Sequence, residues 1–349
     1  VQSSNEPVTY IDPTAGRHVQ LDGLRTLAMM GVLYVHFWNS DPVLEHARVS
    51  LFFTVSGFLI TMILLKARAR GATGLRVAVN FYIRRALRLF PALVLLVVVA
   101  WWTNAEDARA SIGWHALQAS NFYFYANETW DPWVFAHLWS LNNLEQFYLI
   151  WPLVILLLPK RAMWAVVIGL LLLPVALRLS VGMMGVGGWA RILPLYTFDP
   201  IAAGSLLAMV RDHDVVARHS RNPVVVVAAL SVLGAPFLLG EAYGAGEMYR
   251  ALSVAALVVI VAGAYHGYGG PLNPILGNRV MRYASQISYA VFIYHLMLWW
   301  LLVQFVPALY DREGRTFFVM LAVSVAMAAL SWHVYERPIS RLKSRFPVV

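Results

Sequence analysis

The residues that could do chemistry in this sequence are few, and they sit where they are costly. Arg25 and His36 lie eleven positions apart in an apolar stretch, with Asp22 just ahead of them. If the stretch is helical, 100° per residue returns Arg25 and His36 to nearly one face, roughly 16 Å apart along the axis. Asp22 falls on that face too. One stripe then joins an Asp/Arg pair at one end of the helix to an imidazole near the other. Imidazole titrates near neutrality and can serve as a general base or take an acyl group transiently. Taken singly, Asp22 and Arg25 could simply pair, with the arginine reaching for the surface. Taken as a unit, the stripe favours chemistry.

A second group is basic. Arg84, Arg85 and Arg88 precede Pro91, and spacings of three and four put them on one helix face. A guanidinium offers paired donors that match phosphate, so the cluster is a natural receptor for a phosphorylated substrate. Arg84 is also explained by anchoring at a membrane face, whereas Arg88 lies at the edge of an apolar run.

A third group opens a later apolar stretch: His137, Trp139, Ser140, Asn142, Asn143, Glu145 and Tyr148. A lone buried Glu145 needs a partner or a proton. Asp199 and His295 add two more ionisable groups inside apolar runs. Glu336 and Arg337 follow the last run, where a local ion pair is the simpler expectation.

The elements that must position these groups are helices in a bilayer. The chain has 349 residues, 60% hydrophobic and 13% charged, with a mean hydropathy of +0.63. A soluble domain carries about 25% charged residues, and apolar stretches of roughly 18 residues or more read as membrane spans. Spans are predicted near 21–38, 49–65, 88–103, 138–158, 162–180, 192–210, 223–240, 249–266, 286–306 and 316–335. This makes an all-α integral membrane protein with about ten transmembrane helices. Residues 1–20 form a short tail with Pro7, Pro13 and Gly16, 21–338 the transmembrane domain and 339–349 a basic tail. No cleavable signal peptide precedes the first apolar run.

The net charge of +9 follows topology and is not read as nucleic-acid binding. Lys66, Arg68, Arg70, Arg76, Arg84 and Arg85 cluster after the second span, and Arg337, Arg341, Lys343 and Arg345 after the last. Glu106, Asp107, Glu128, Asp131, Glu241 and Glu247 fall in the intervening loops. By the positive-inside rule both termini are cytoplasmic. The chain has no cysteine, which excludes disulfides, thiolate metal sites and a cysteine nucleophile. No metal is expected. The long outer loop, 104–137, is aromatic, with Trp114, Phe122, Tyr123, Phe124, Tyr125, Trp130 and Trp133. Anchoring at headgroup depth is the first expectation for it, and part of an acceptor surface the second.

Together these segments resemble the membrane acyltransferase-3 family. The resemblance is carried by Leu21-Asp-Gly-Leu-Arg25 with His36; by Leu51-Phe-Phe-Thr-Val-Ser-Gly57-Phe-Leu-Ile-Thr61; and by Arg84-Arg85-x-x-Arg88-x-x-Pro91. It continues in His137-x-Trp139-Ser140 through Glu145-Gln-Phe147-Tyr148, and in Ile287-Ser288-Tyr289 through Tyr294-His295. Two positions depart from the family pattern. Ser50 stands where an acidic residue is usual, and Leu144 where a glutamate is, with Glu145 beside it.

The resemblance implies transfer of an acyl group, often acetyl, from cytoplasmic acyl-CoA to a hydroxyl. Acceptors in such a family include cell-surface glycans, cell-wall polymers, lipid-linked saccharides and small molecules such as macrolides. Some members carry a fused SGNH domain; this sequence, closing soon after its last span, is expected to have none. The expected location is the bacterial cytoplasmic (inner) membrane. On this reading Arg25, Arg84, Arg85 and Arg88 hold the phosphates of acetyl-CoA. His36 is the base or acyl carrier, and His295 or Glu145 orients it. Ser140, Asn142 or Asn143 serves the developing oxyanion. Asp22, Trp139, Tyr148 and Asp199 are further buried polar candidates. The rival reading is a transporter or flippase whose buried polar groups line a path.

Overall fold

The structure, a computed structural model, describes residues 18–72, 74–184, 188–240, 246–311 and 314–348. Most of the predicted tail, with Pro7, Pro13 and Gly16, lies outside them, as does Glu241. Among the described residues the chain is helical, with no strand.

Among the described residues, ten helices of 12 or more residues fall where apolar runs were expected: α1 (Val19–Phe37), α2 (Pro42–Ala69), α3 (Leu75–Thr103), α4 (Leu138–Leu157), α5 (Lys160–Met184), α6 (Asp199–Val210), α7 (Pro223–Leu239), α8 (Glu247–His266), α9 (Arg279–Val303) and α10 (Gly314–Ser331). By length and apolar composition, six segments among the described residues can cross a membrane. They are Pro42–Ala69, Leu75–Thr103, Lys160–Ser180, Glu247–His266, Leu272–Val303 and Gly314–Arg345. α6 and α7 are shorter apolar helices of 12 and 17 residues.

The helices outrun the predicted spans for local reasons. Asp41 caps α2: its carboxylate accepts from the backbone N–H groups of Val43 and Leu44 at 2.8 and 2.9 Å, with Pro42 at the first position. α3 begins at Leu75, so the segment carrying Arg84, Arg85 and Arg88 is helix and not loop. A helix of 28 residues is about 42 Å long against a hydrocarbon core of about 30 Å, so charged turns fit beyond the apolar layer. The expected sixth span is broken. Ahead of α6 the chain turns through Gly188–Ile192 and Pro194–Thr197.

The tightest crossing is between α2 and α6. A Cβ on Gly57 would stand 2.1 Å from the Ile201 carbonyl oxygen, and one on Gly204 2.0 Å from that of Thr54. Only glycine lets the two backbones meet, the usual device where helices associate without hydrophobic drive. Polar side chains close the same seam: Trp151 Nε1 donates to Thr61 Oγ1 at 2.7 Å, and Thr61 Oγ1 donates to Ser205 Oγ at 2.9 Å. Gly57 and Thr61 of the second sequence motif are thereby explained as packing residues.

The long loop between α3 and α4, expected to face outward, is folded. Short helical pieces span Ala105–Ala110, Ile112–Ala116, Ser120–Asn127 and Trp133–Phe135. Phe124 and Phe135 are fully buried, whereas Trp114, Phe122 and Tyr125 are exposed. Buried His115 stacks on Phe135, with its Nδ1 2.9 Å from Ser120 Oγ and its Nε2 3.1 Å from Ser111 Oγ. Burial holds its pKa down at about 3, so the ring is neutral. The loop is pinned to α4 through Asn142, which accepts from the Ser120 N–H at 2.7 Å, and Asn143, which accepts from Asn121 Nδ2 at 2.8 Å.

Candidate active site

α1, α2, α3, α4 and α9 surround a cavity of about 250 Å³. α1 contributes Arg25, Ala28, Met29 and Val32, a run at helical spacing along one face. α3 contributes Arg85, Arg88 and Leu89; α4 contributes Ser140, Leu141, Leu144, Glu145 and Tyr148; α9 contributes Ser288, Tyr289 and Phe292; and α2 contributes Arg48 with an apolar wall. Arg25, Arg85 and Arg88 therefore share one chamber with Glu145, although they come from helices far apart in sequence.

Each arginine is held differently. The Arg85 guanidinium lies over the Tyr148 ring, 3.8 Å from its centroid. Arg88 Nη2 donates to the Gln286 carbonyl at 2.7 Å, and its guanidinium covers Trp332 at 4.9 Å. Arg84 points elsewhere. Its Nη1 donates to the carbonyls of Lys343 and Phe346 at 2.9 and 3.3 Å, which docks the C-terminal segment on α3. It lines a neighbouring opening of about 560 Å³, with Lys343. That opening shares Ile60, Ile63, Arg85 and Arg88 with the central cavity, so the basic mouth leads inward.

A relay of rings and one guanidinium lies at the other end. His295 Nδ1 is 2.6 Å from the Phe292 carbonyl, His36 Nδ1 is 2.7 Å from His295 Nε2, and Arg48 Nη2 is 3.4 Å from His36 Nε2. A carbonyl only accepts, so His295 Nδ1 carries a proton and its Nε2 is the acceptor. His36 Nδ1 then donates, and the His36 Nε2 lone pair faces the Arg48 Nη2 donor. The two imidazole planes differ by 3°. Arg48 also pairs with Glu45 one turn earlier. The His137 ring is 4.8 Å from His295, and both of its nitrogens are buried without a hydrogen-bond partner. Trp133 of the outer loop closes over His36, at 6.4 Å between ring centroids.

Other predicted residues are positioned as follows. Glu145 lies on the cavity wall with its Oε1 buried and unbonded; His295, not Glu145, is the group bonded to His36. Ser140 is buried on the wall, its Oγ donating to the His137 carbonyl at 3.3 Å. Asn142 and Asn143 are spent on the outer loop and on the Ile192 carbonyl, and neither lines the cavity. Asp22 accepts from Ser285 Oγ at 3.0 Å, tying α1 to α9. Asp199 pairs with Arg178 through both oxygens, at 2.8 and 3.0 Å, and lines a second cavity with Trp139. Glu336 is buried and accepts from Ser331 Oγ at 2.9 Å; among the described residues no ion pair joins it to Arg337. No group of three or more His, Asp or Glu among the described residues is arranged to hold a metal ion.

Sequence reasoning missed Arg48 and Arg178. Both are ionisable groups at the edge of an apolar run. The signal for Arg48 was Glu45 three positions before it, a helix-neighbour pair.

The profile of a family described as an acyltransferase domain matches residues 18–336. The chain belongs to this acyltransferase family. A peptidoglycan O-acetyltransferase of Listeria monocytogenes is 28% identical, over 92% of this chain and 55% of the relative. A Bacillus subtilis protein named as a candidate peptidoglycan O-acetyltransferase is 27% identical, over 91% and 54%. A Staphylococcus aureus protein named as a candidate O-acetyltransferase is 25% identical, over 91% and 56%. The chain thus spans about half the length of the curated relatives it matches. No solved structure matches significantly. The acyltransferase domain covers all the helices that build the cavity and the histidine pair.

Proposed function

We propose that this acyltransferase domain moves an acyl group, acetyl in the first instance, from cytoplasmic acyl-CoA to a hydroxyl of a cell-surface glycan or cell-wall polymer. The observation that carries the reading is one chamber with arginines at its mouth and an oriented His36–His295 pair beyond its far end. Arg25, Arg85 and Arg88 would take the phosphates of the nucleotide moiety, with Arg84 and Lys343 at the entrance. The apolar wall of α1 and α2 suits the pantetheine arm, which brings the thioester toward Arg48 and His36.

His36 Nε2 then removes the proton of the acceptor hydroxyl as its oxygen attacks the thioester carbonyl. The C–S bond breaks, and the CoA sulfur leaves with the proton that His36 returns. His295, its own tautomer fixed by the Phe292 carbonyl, holds the His36 ring and stabilises the imidazolium. The acceptor hydroxyl takes the place of Arg48 Nη2 at His36 Nε2, and the released guanidinium donor turns to the developing oxyanion.

The arrangement of spans also belongs to this reading. Ten spans with both termini inside would put Arg84, Arg85 and Lys343 at the cytoplasmic face of a bacterial inner membrane, and the outer loop with Trp133 on the far side. The names of the relatives support a peptidoglycan-like glycan as acceptor.

Two measurements test the proposal. Purified full-length protein in lipid nanodiscs should release CoA from acetyl-CoA, and a transporter or flippase would release none. Mass spectrometry of surface glycans from cells with and without the gene should show one acyl group lost from one acceptor. Unchanged glycans together with no CoA release would overturn the assignment.

A further inference from the structure

A second cavity of about 250 Å³ lies beside the first, where the N-terminal ends of α2, α4 and α8 gather. The two share Val49 and Phe53 of α2 as a common wall. Glu45 lines the second cavity and its ion-pair partner Arg48 lines the first, 3.4 Å from His36 Nε2. A molecule in the second cavity is therefore separated from the reactive imidazole by one ion pair.

The charges at this cavity leave one arginine over, Arg191. Asp199 spends both oxygens on Arg178, and Glu45 is bonded to Arg48. Arg178 is itself saturated, since its Nε donates to Glu247 at 2.7 Å and its Nη1 also donates to the Tyr196 carbonyl at 2.6 Å. Two other arginines are held less tightly. Arg250 gives Nη1 to His46 Nδ1 at 3.2 Å, and its Nε, buried with no hydrogen bond, stands 3.8 Å from Glu247 Oε1 in a long ion pair. Arg191 is exposed at the rim and makes no hydrogen bond or ion pair to any described residue. The half-buried indole of Trp139 forms another part of the lining. An indole face packs against the C–H face of a sugar ring, and the unpaired Arg191 beside the loosely paired Arg250 matches an oxyanion.

We propose that this second cavity is the acceptor subsite and that it selects a saccharide bearing an anionic group, a carboxylate or a phosphate. The inference rests on the acyltransferase reading above and adds the acceptor's charge to it. The oxyanion sits between Arg191 and Arg250, the sugar ring lies against Trp139, and the hydroxyl to be acylated points past the Glu45–Arg48 pair toward His36.

The test uses the full chain in nanodiscs and three probes: methyl β-glucoside, methyl β-glucuronide and glucose 6-phosphate. Affinity is measured by isothermal titration calorimetry and acceptor use by acetylated-sugar formation. One or both anionic sugars should bind at least about tenfold more tightly than the neutral one, the effect of one charge-assisted hydrogen bond. Which anion wins distinguishes carboxylate from phosphate. Arg191→Gln, at an exposed position, should bring the affinity of the preferred anion down toward that of the glucoside, and Arg250→Gln should do the same. Equal binding of all three sugars, no binding of any, or unchanged anion preference in Arg191→Gln would overturn the proposal. Absence of CoA release by the wild-type protein is a separate result that would instead remove the acyltransferase reading beneath it.

Discussion

The site turns on the ordering of hydrogen bonds around one imidazole. His36 Nδ1 is committed to His295, and His295 Nδ1 to the Phe292 carbonyl. Removing His295 would leave His36 free to adopt the other tautomer and to rotate. His295→Phe is therefore expected to lower kcat about 100-fold while leaving the KM for acetyl-CoA within about twofold. Arg88→Ala should act in the opposite sense, raising the KM for acetyl-CoA about tenfold or more, as loss of a charge-assisted phosphate contact requires. It should also cost some stability, because Arg88 holds the Gln286 carbonyl and covers Trp332. The eleven-residue spacing was enough to place Arg25 and His36 on one face. Arg48 was not visible in that way. Its closeness to His36 depends on the turn between α1 and α2, a tertiary fact that no helical period encodes. Asp199 was legible as a buried charge but not as the partner of Arg178, which comes from a different helix.

The helices explain why certain residues sit where they do. Gly57 and Gly204 let α2 and α6 cross at backbone distance. Gly57→Val would force them apart, with an expected loss of about 1–3 kcal/mol, read as a lower melting temperature in nanodiscs. The Arg178–Asp199 pair joins α5 to α6 with both side chains almost fully buried. Asp199→Ala takes two acceptors from Arg178, which keeps Glu247 and the Tyr196 carbonyl, and should cost about 1–3 kcal/mol, more than the loss of a surface pair. The outer loop has a pH limit of its own. His115 is neutral when folded, with its pKa lowered from 6.5 to about 3 by burial. Below pH 6.5 the unfolded loop binds a proton that the folded loop refuses. Stability of the loop therefore falls as pH drops from about 6.5 toward 3, at most about 1.4 kcal/mol per pH unit. Hydrogen exchange of residues 105–135 at pH 7 and pH 5 should show faster opening at pH 5, and His115→Gln should flatten the difference. Helix existence was legible throughout from apolar runs. The break before α6 was signalled by Pro194 and Pro200, but the length of α3 was hidden because its Arg-rich first turns look like loop by hydropathy. The folding of the outer loop was hidden as well. Its aromatic residues read as headgroup anchors, and only tertiary packing puts Phe124 and Phe135 inside.

For the whole molecule, the proposed transfer requires two chambers that open toward opposite sides of a membrane and meet near His36. On the positive-inside reading, the basic mouth of the first cavity, with Arg84 and Lys343, is proposed to face the cytoplasm. The chain has no cysteine, so single-cysteine variants report topology without background. Arg70→Cys should resist a membrane-impermeant maleimide in intact cells, and Glu128→Cys should react with it. Reversed labelling would invert the donor and acceptor sides. The family match over 18–336 agrees with the motifs read from the sequence, which span the same helices. The central claim is that His36 is the reacting group, and the most direct measurement of it is acetyl transfer by purified His36→Ala protein in nanodiscs, beside the wild type. The account predicts a fall of at least about 1,000-fold in acceptor acetylation with a melting temperature close to wild type. Acetylation at the wild-type rate by the folded variant would contradict it.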